Sequence, residues 1–101
     1  MKQSSRIYEE CLCHELHLRG VHFRRQIPLP LIYKHLLLDC KYQIDLLVEE
    51  EVVVELKAIE RILPSTRRRS WTYLKLAHKR VGMLINFDVP VLRDGIVRRV
   101  L

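Results

Sequence analysis

Two extended segments separated by three glutamates constrain the fold of this chain more than any other feature of its sequence. Residues 36–48 and 52–58 are rich in apolar side chains and favour strands. The connection, residues 49–51, is too short for anything but an antiparallel hairpin. We expect one face of the first strand to carry Tyr42, Ile44, Leu46 and Val48, and one face of the second to carry Val52, Val54 and Leu56.

The N-terminal part adds a helix and a third strand. Residues 4–19 have helical spacing, and Gly20 follows where a left-handed C-terminal cap is needed. We expect that helix to present one stripe made of Ile7, Cys11, His14 and Leu18, with Tyr8, Leu12 and Leu16 beside it. Residues 21–27 alternate with a period of two, and Pro28 and Pro30 place the next residues on a sheet edge or a bulge. With the hairpin, this strand predicts an antiparallel meander.

The C-terminal part predicts a crossover. Residues 64–79 form the second predicted helix, with Pro64 suited to its first position. Residues 81–87 are an apolar strand, and because a helix precedes it, this strand should run parallel to the third one. Residues 96–101 add a last edge strand. The predicted order is α-β-β-β-α-β with one more β, an α/β chain of the α+β type in a single domain over residues 1–101.

Charge is divided unevenly along the chain. The 101 residues include 18 Lys and Arg against 12 Asp and Glu, a formal net charge of +6. Residues 1–60 carry 8 basic and 10 acidic side chains, whereas residues 61–101 carry 10 basic and 2 acidic ones. A basic domain of this kind suggests an anionic partner, with nucleic acid as the first candidate, and a surface that is merely solvated is the alternative.

Several protein classes are disfavoured by what the sequence lacks. No apolar run approaches the ~18 residues of a membrane span, and the N-terminus lacks the apolar stretch of a signal peptide. The cysteines are odd in number and form no CxxC pair: Cys11, Cys13 and Cys40. We therefore expect no membrane contact and a reducing, cytoplasmic location.

Asp45, Glu55 and Lys57 are the residues most able to carry chemistry. Glu55 and Lys57 are two apart on one strand and share a face, and Asp45 lies on the neighbouring strand across the tight turn. Two carboxylates on paired strands suit Mg²⁺, and a lysine beside them can orient or deprotonate a water. The spacing also fits a cross-strand salt bridge. The apolar flanks argue against that alternative, because charges among such residues are costly unless they are paired or bound to metal.

Beyond this trio, the order of residues resembles a known group of proteins. Residues 42–48 followed by 52–58 resemble the signature of the PD-(D/E)XK nuclease superfamily, and the whole chain resembles the small bacterial proteins of the GxxExxY family. Further landmarks of that resemblance follow in order along the chain: Ile7-Tyr8-Glu9, Leu29-Pro30, Leu63-Pro64, Thr72-Tyr73-Leu74, Gly82-Met83-Leu84 and Asp94-Gly95-Ile96.

The resemblance implies a restriction-endonuclease-like core, a mixed sheet flanked by helices. It implies that Asp45, Glu55 and the carbonyl of Leu56 ligate Mg²⁺ or Mn²⁺, and that Lys57 serves the hydrolytic water. The substrate would be a phosphodiester of nucleic acid, DNA rather than RNA. Because fold is not function, the activity remains an expectation.

The chain departs from the pattern at three positions. Lys2 stands where the motif of the family has a glycine, and Ser5 stands where it has a glutamate. Glu9, one turn further along the same helical face, is the candidate to replace that glutamate in the catalytic set. Arg69 stands where the superfamily often has a glutamine. These changes touch the support of the site and leave the metal core complete.

Cations on the second helix are the candidate nucleic-acid contacts, with a solvated helix surface as the alternative: Arg67, Arg68, Arg69 and Lys75. Three functions therefore stand open. The first is a metal-dependent nuclease, and the second is a nucleic-acid-binding module of the same fold with weak or lost chemistry. The third is a protein-interaction module that uses its strand-rich edges, with a homodimer left open.

Overall fold

The structure is a computed structural model that describes the backbone of residues 3–101 and the side chains of residues 6–29, 34–36 and 43–101. Its elements follow the predicted order: α1 (Gln3–Leu18), β1 (Phe23–Tyr33), β2 (Leu36–Val48), β3 (Val52–Lys57), α2 (Pro64–Leu76), β4 (Val81–Asn86), a 3₁₀ helix (Leu92–Gly95) and β5 (Ile96–Val100). None of the described helices is both long enough and apolar enough to cross a membrane.

A mixed sheet ordered β1-β2-β3-β4-β5 forms the middle layer of the described chain. β1, β2 and β3 are antiparallel neighbours, β4 is parallel to β3, and β5 is antiparallel to β4. α1 packs on one face through Cys13, and α2 packs on the other through Leu74. The meander, the parallel crossover and the α+β arrangement are therefore confirmed, as is the edge position of β1 that Pro28 and Pro30 indicated.

α1 ends as predicted but turns a different face inward. Gly20 adopts φ 69°, and the Val21 N–H donates to the Leu16 carbonyl at 2.9 Å, which closes the helix in a Schellman motif. The expected stripe is exposed to solvent: Ile7, Cys11, His14 and Leu18. The inward face carries buried Glu9 and Cys13 instead, and Leu12 and Leu16, expected beside the stripe, are half-buried against the same core cluster. Apolar spacing cannot predict this, because the burial of Glu9 is offset by an ion pair with a distant residue of β1.

In both β1 and β2, the side chains stop alternating regularly between the two faces of the sheet, and they do so at neighbouring positions of the two strands. Leu46 packs in the cluster under α1, whereas Ile44 packs in the cluster under α2. On β1, Arg25 reaches α1, whereas Ile27 packs toward α2. Gln26 lies between them with a left-handed φ of 50°, which interrupts the extended backbone.

This reversal corrects the prediction for β2. Ile44 and Leu46 do not share a face, because a period of two holds only while the backbone stays extended; the side chain of Tyr42 lies outside those described. The paired positions of β1 and β2 stop on one side of Gln26 and Asp45 and resume on the other, so these two residues lie at the point of reversal. The break in the sheet therefore lies at one of the predicted site residues.

Candidate active site

β2 and β3 bring Asp45 beside the segment Glu55-Leu56-Lys57. Their antiparallel ladder stops one step before Asp45 and Glu55, so these two are the next residues to face each other. Beyond the end of the ladder, the Leu56 N–H donates to a side chain instead of a backbone carbonyl. Its acceptor is Asp45 Oδ2, at 2.8 Å. The predicted trio of Asp45, Glu55 and Lys57 is assembled at this end of the hairpin.

The backbone carbonyl of Leu56 faces the same side of β3 as Asp45. In an extended strand, the N–H and the C=O of one residue point to the same neighbouring strand. The Leu56 N–H bonds to Asp45, so the Leu56 carbonyl is directed toward β2 as well. The next carbonyl, that of Lys57, turns the other way and accepts the Phe87 N–H at 2.9 Å. The expected backbone ligand therefore lies on the side of the carboxylates.

Burial raises the pKa of the Asp45 carboxyl group. Its removal from water is the largest cause of the shift; the Leu56 N–H opposes it, the charge of Glu9 adds to it, and Lys57 and the Gln26 side chain lower the pKa. Glu9, Gln26 and Lys57 therefore act on Asp45 from three separate elements of the fold. The carboxylate is held in a setting that disfavours its charge until a cation approaches.

The Glu55 carboxyl group is in a similar setting, 4% exposed. Burial raises its pKa, and the charge of Asp45 adds to that rise; Ser70, Lys57 and Arg69 oppose it, Ser70 most. The Ser70 hydroxyl, 3% exposed on α2, donates to Glu55 Oε2 at 2.8 Å. Sequence reasoning missed Ser70, because a serine inside a helix gives no signal until the helix is docked on β3.

The donors at this point fit a hard divalent cation. One half-buried and one buried carboxylate, both with raised pKa values, and one carbonyl supply the oxygen ligands that Mg²⁺ and Mn²⁺ prefer. Within the described side chains, no three of His, Cys, Asp or Glu come together as a ready set of metal ligands. The fit therefore rests on Asp45, Glu55 and the carbonyl of Leu56, with room in the coordination shell for water and phosphate oxygens.

Glu9, the third predicted carboxylate, is 2% exposed, and both its oxygens are already bonded. Arg25 Nη2 donates to Glu9 Oε2 at 2.5 Å, and Gln26 Nε2 donates to Glu9 Oε1 at 2.7 Å. The same Arg25 nitrogen donates to Glu10 Oε1 at 2.7 Å. Sequence reasoning missed Arg25 and Gln26, because in an alternating strand they look like ordinary polar positions.

Comparison with known proteins agrees with this geometry. The family model of the PD-(D/E)XK nuclease superfamily matches residues 3–100. The chain belongs to the PD-(D/E)XK nuclease superfamily. It matches no curated protein and no solved structure.

Membership of the superfamily agrees with the mixed sheet, which has the restriction-endonuclease-like arrangement expected from the sequence. Nucleases of the superfamily generally use divalent metal ions. The sequence predicts that Asp45 and the Glu55-Leu56-Lys57 segment correspond to the aspartate and the ExK segment that name the superfamily. At the position where the superfamily often has a glutamine, Arg69 contributes charge to the site, and the neighbouring Ser70 makes the hydrogen bond to Glu55.

Lys57 and Arg69, the two cations whose charges act on Glu55, both line a small pocket. The pocket has a volume of about 150 Å³, and its lining is formed by Lys57, Ile59, Ser65, Thr66 and Arg69. Among the described residues, neither Lys57 nor Arg69 belongs to an ion pair. Buried Asn86 holds one wall, since its side-chain amide exchanges two hydrogen bonds with the backbone of Ile59 at 2.9 and 3.1 Å. The pocket is therefore positively charged and fixed in shape.

The other predicted nucleic-acid contacts lie on the surface of α2. All four cations are exposed on α2, and Arg69 alone of them also lines the pocket, whereas Arg67, Arg68 and Lys75 do not. The side chains face solvent. Three consecutive arginines on a helix point in different directions, so at least one of them had to be exposed. The structure thus separates one cation at the site from three cations farther along the helix surface.

Proposed function

We propose that this chain is a metal-dependent nuclease that hydrolyses phosphodiester bonds in nucleic acid, with DNA as the favoured substrate. The observation that carries the proposal is the hydrogen bond of Asp45 to the Leu56 amide. It ties the half-buried Asp45 carboxylate to the backbone between Glu55 and Lys57, and so groups the chemistry of the superfamily motif at one point. Structural ion pairing alone does not explain why the pKa values of half-buried Asp45 and buried Glu55 are both raised.

In this proposal, Asp45, Glu55 and the carbonyl of Leu56 hold Mg²⁺ or Mn²⁺. The bound cation would supply charge stabilisation at a phosphate oxygen and a water of lowered pKa. The protein contributes orientation: Leu56 N–H fixes one oxygen of Asp45, and Ser70 fixes one oxygen of Glu55. Each carboxylate therefore keeps its other oxygen for the cation, which is the kind of support that tunes metal sites.

Lys57 is the residue that we assign to the water and the scissile phosphate. It is half-buried on the same face as Glu55, and its ammonium group can donate to the attacking water and compensate charge that develops on the phosphate. Arg69, in the same pocket, is placed to contact a neighbouring phosphate. Glu9 has a supporting role in this assignment.

The exposed cations of α2 extend the contact with the nucleic acid. Arg67, Arg68 and Lys75 would bind phosphates away from the reacting one, without reading sequence. Each phosphate that they neutralise should add to the salt dependence of binding. The basic C-terminal part of the chain supports this assignment, because residues 61–101 carry 10 of the 18 basic side chains and 2 of the 12 acidic ones.

We place the chain within the GxxExxY family as a finer assignment, on the strength of the ordered landmarks in its sequence. We also propose that it acts as a single domain in a reducing, cytoplasmic setting, which the free Cys11 and Cys13 support. A homodimer remains open to a measurement of mass in solution.

Cleavage assays on linear DNA and RNA with Mg²⁺ or Mn²⁺ test the proposal. We expect metal-dependent cleavage, faster on DNA, that chelation stops. Asp45→Asn keeps an acceptor for the Leu56 N–H, so it should fold and yet show no cleavage above background. Lys57→Met should lower the rate by about 10²–10³-fold. Glu51→Gln, in the exposed turn of the same hairpin, is the matched control and should keep full activity.

The opposite results are equally clear. Cleavage that persists in Asp45→Asn would exclude this active site. Salt-sensitive binding of DNA without cleavage under any metal would leave the binding module as the function. Faster cleavage of RNA than of DNA would overturn only the substrate preference.

A further inference from the structure

A third carboxylate, that of Glu9, is buried near the proposed metal ligands. Glu9 is hydrogen-bonded to Gln26 on β1, the strand that pairs with the β2 strand of Asp45, and the charge of Glu9 helps to raise the pKa of the Asp45 carboxyl group. Carboxylates gathered in this way at a phosphodiester-cleaving site can serve two divalent ions that share ligands. Whether Glu9 can serve a second ion depends on what its oxygens already bind.

Arg25 occupies the position of a counterion to Glu9. Its Nη2 donates to Glu9 Oε2 at 2.5 Å and to Glu10 Oε1 at 2.7 Å, so two glutamates of α1 hold the guanidinium group in place. Arginine stays protonated at all relevant pH values, and its pKa here is raised further by these two hydrogen bonds. The positive charge is therefore permanent, fixed and supplied by β1.

Gln26 fills the remaining position at Glu9. Its Nε2 donates to Glu9 Oε1 at 2.7 Å, and Gln26 also lowers the pKa of the Asp45 carboxyl group on the neighbouring strand. The amide therefore occupies the second oxygen of Glu9, on the side of β1 that neighbours Asp45. Gln26 has a left-handed φ of 50°, which residues other than glycine rarely adopt, and this backbone presents its amide to Glu9.

We propose that Arg25 and Gln26 take the place of a second metal ion, so that this site binds a single divalent cation, between Asp45 and Glu55. This inference rests on the proposed function. It makes Glu9 a positioning residue, which acts on Asp45 through Gln26 rather than through a metal. It also makes Arg25 an internal cation that the chain carries instead of a second metal ion.

Calorimetric titration of the full chain with Mn²⁺, without substrate, tests the stoichiometry independently of activity. We expect one Mn²⁺ per wild-type chain, with electron paramagnetic resonance of free Mn²⁺ giving the same count. Glu9→Gln, which keeps the size of the side chain, should still bind one Mn²⁺, whereas Asp45→Asn should bind none. Two Mn²⁺ in the wild-type chain, falling to one in Glu9→Gln, would overturn the inference.

Arg25→Met provides the converse test, with Arg24→Met on the same strand as the matched control. Removal of the Arg25 guanidinium releases Glu9 Oε2, so the count should rise to two, and adding Glu9→Gln should return it to one. The Arg24→Met chain should still bind one Mn²⁺ ion. A folded Arg25→Met chain that still binds one ion would contradict the role of Arg25. If Arg25→Met fails to fold, the wild-type and Glu9→Gln counts decide the question.

Failure of the two proposals can be told apart. If the wild-type chain binds no Mn²⁺, the proposed metal-dependent function falls, and this inference falls with it. If it binds two ions and cleaves DNA, the function stands and only the single-cation inference is wrong.

Discussion

Arg24 and Arg25 are neighbours on β1, and each is paired with glutamate, but the two pairs have different surroundings. Arg24 makes a bidentate contact with Glu50 at 2.7 and 2.8 Å, and the two side chains are 58% and 60% exposed. Arg25 meets Glu9 at 2.5 Å, and there the exposed fractions are 34% and 3%. Both pairs join a guanidinium group to a carboxylate, but the Arg24–Glu50 pair is exposed to water and the Arg25–Glu9 pair is largely buried.

The difference shows that burial decides what an ion pair does. Water and salt screen the Arg24–Glu50 pair, so it contributes little to stability and can be replaced. The carboxylate of Glu9 has left water, so the loss of Arg25 would leave a buried charge without a partner. The outer pair fastens the hairpin turn, and the inner pair shapes the electrostatics of the active site.

Stability gives the largest separation between the two arginines. Arg25→Met should lower the free energy of unfolding by about 2–3 kcal/mol, less than for a fully buried pair because Arg25 is one-third exposed. Arg24→Met should leave it unchanged within error. Urea unfolding of metal-free protein measures both. Equal losses in the two variants would break the comparison.

Two hydroxyl groups of α2 repeat the contrast between buried and exposed partners. Ser70→Ala removes the donor to buried Glu55 and should cost about 1–3 kcal/mol, because the carboxylate keeps its burial and loses a partner. The hydroxyl of Thr72 donates to the Arg68 carbonyl on the exposed side, so Thr72→Ala should change little. Thermal unfolding measures the loss of stability in Ser70→Ala and in Thr72→Ala. Ser70→Thr should restore part of the loss if the hydrogen bond is responsible.

Arg69 and Arg68 test the same distinction at the surface that meets nucleic acid. Arg69→Gln should lower the cleavage rate at saturating substrate and also reduce the slope of log K against log salt by about 1. Arg68→Gln should weaken binding and leave the saturated rate unchanged, since its side chain faces solvent away from the pocket lining. Titrations at several salt concentrations, with single-turnover rates, separate the two effects. Identical rate losses would refute a special place for Arg69.

The smallest expected effect concerns the outer pair and pH. Arg24 lowers the pKa of the Glu50 carboxyl group, chiefly through the hydrogen bond. Its contribution to stability is therefore present above the unfolded pKa of glutamate, near pH 4, and is lost as the pH falls through the lowered folded pKa. NMR titration should show the pKa of Glu50 rise to its ordinary range in Arg24→Met. The pKa of Glu50 should be unchanged in Arg25→Met. A shift in that variant would mean that the Arg24–Glu50 and Arg25–Glu9 pairs are coupled.

Much of the fold was predictable because its evidence is local in the chain. The meander follows from the short connection at residues 49–51, and the parallel position of β4 follows from the helix before it. Glu55 and Lys57 share a face because β3 stays extended. These predictions needed only periodicity and loop length, and the structure confirms them.

Long-range contacts were not predictable in the same way. The inward face of α1 depends on Arg25 reaching Glu9, and these residues are 16 positions apart. The support of Glu55 by Ser70 depends on how α2 docks on β3. The reversal of faces at Gln26 and Asp45 depends on a left-handed backbone that an apolar period cannot indicate.

The order of elements, the hairpin and the identity of the Asp45, Glu55 and Lys57 trio were therefore contained in the sequence, because strand and helix periods and short turns express themselves within a few residues. The partners that tune the trio came from the folded chain. Burial, which turns the Arg25–Glu9 pair into part of the site and leaves Arg24–Glu50 an ordinary surface contact, is a property of packing between distant segments. Two adjacent arginines in one strand cannot be told apart until α1 has closed over one of them.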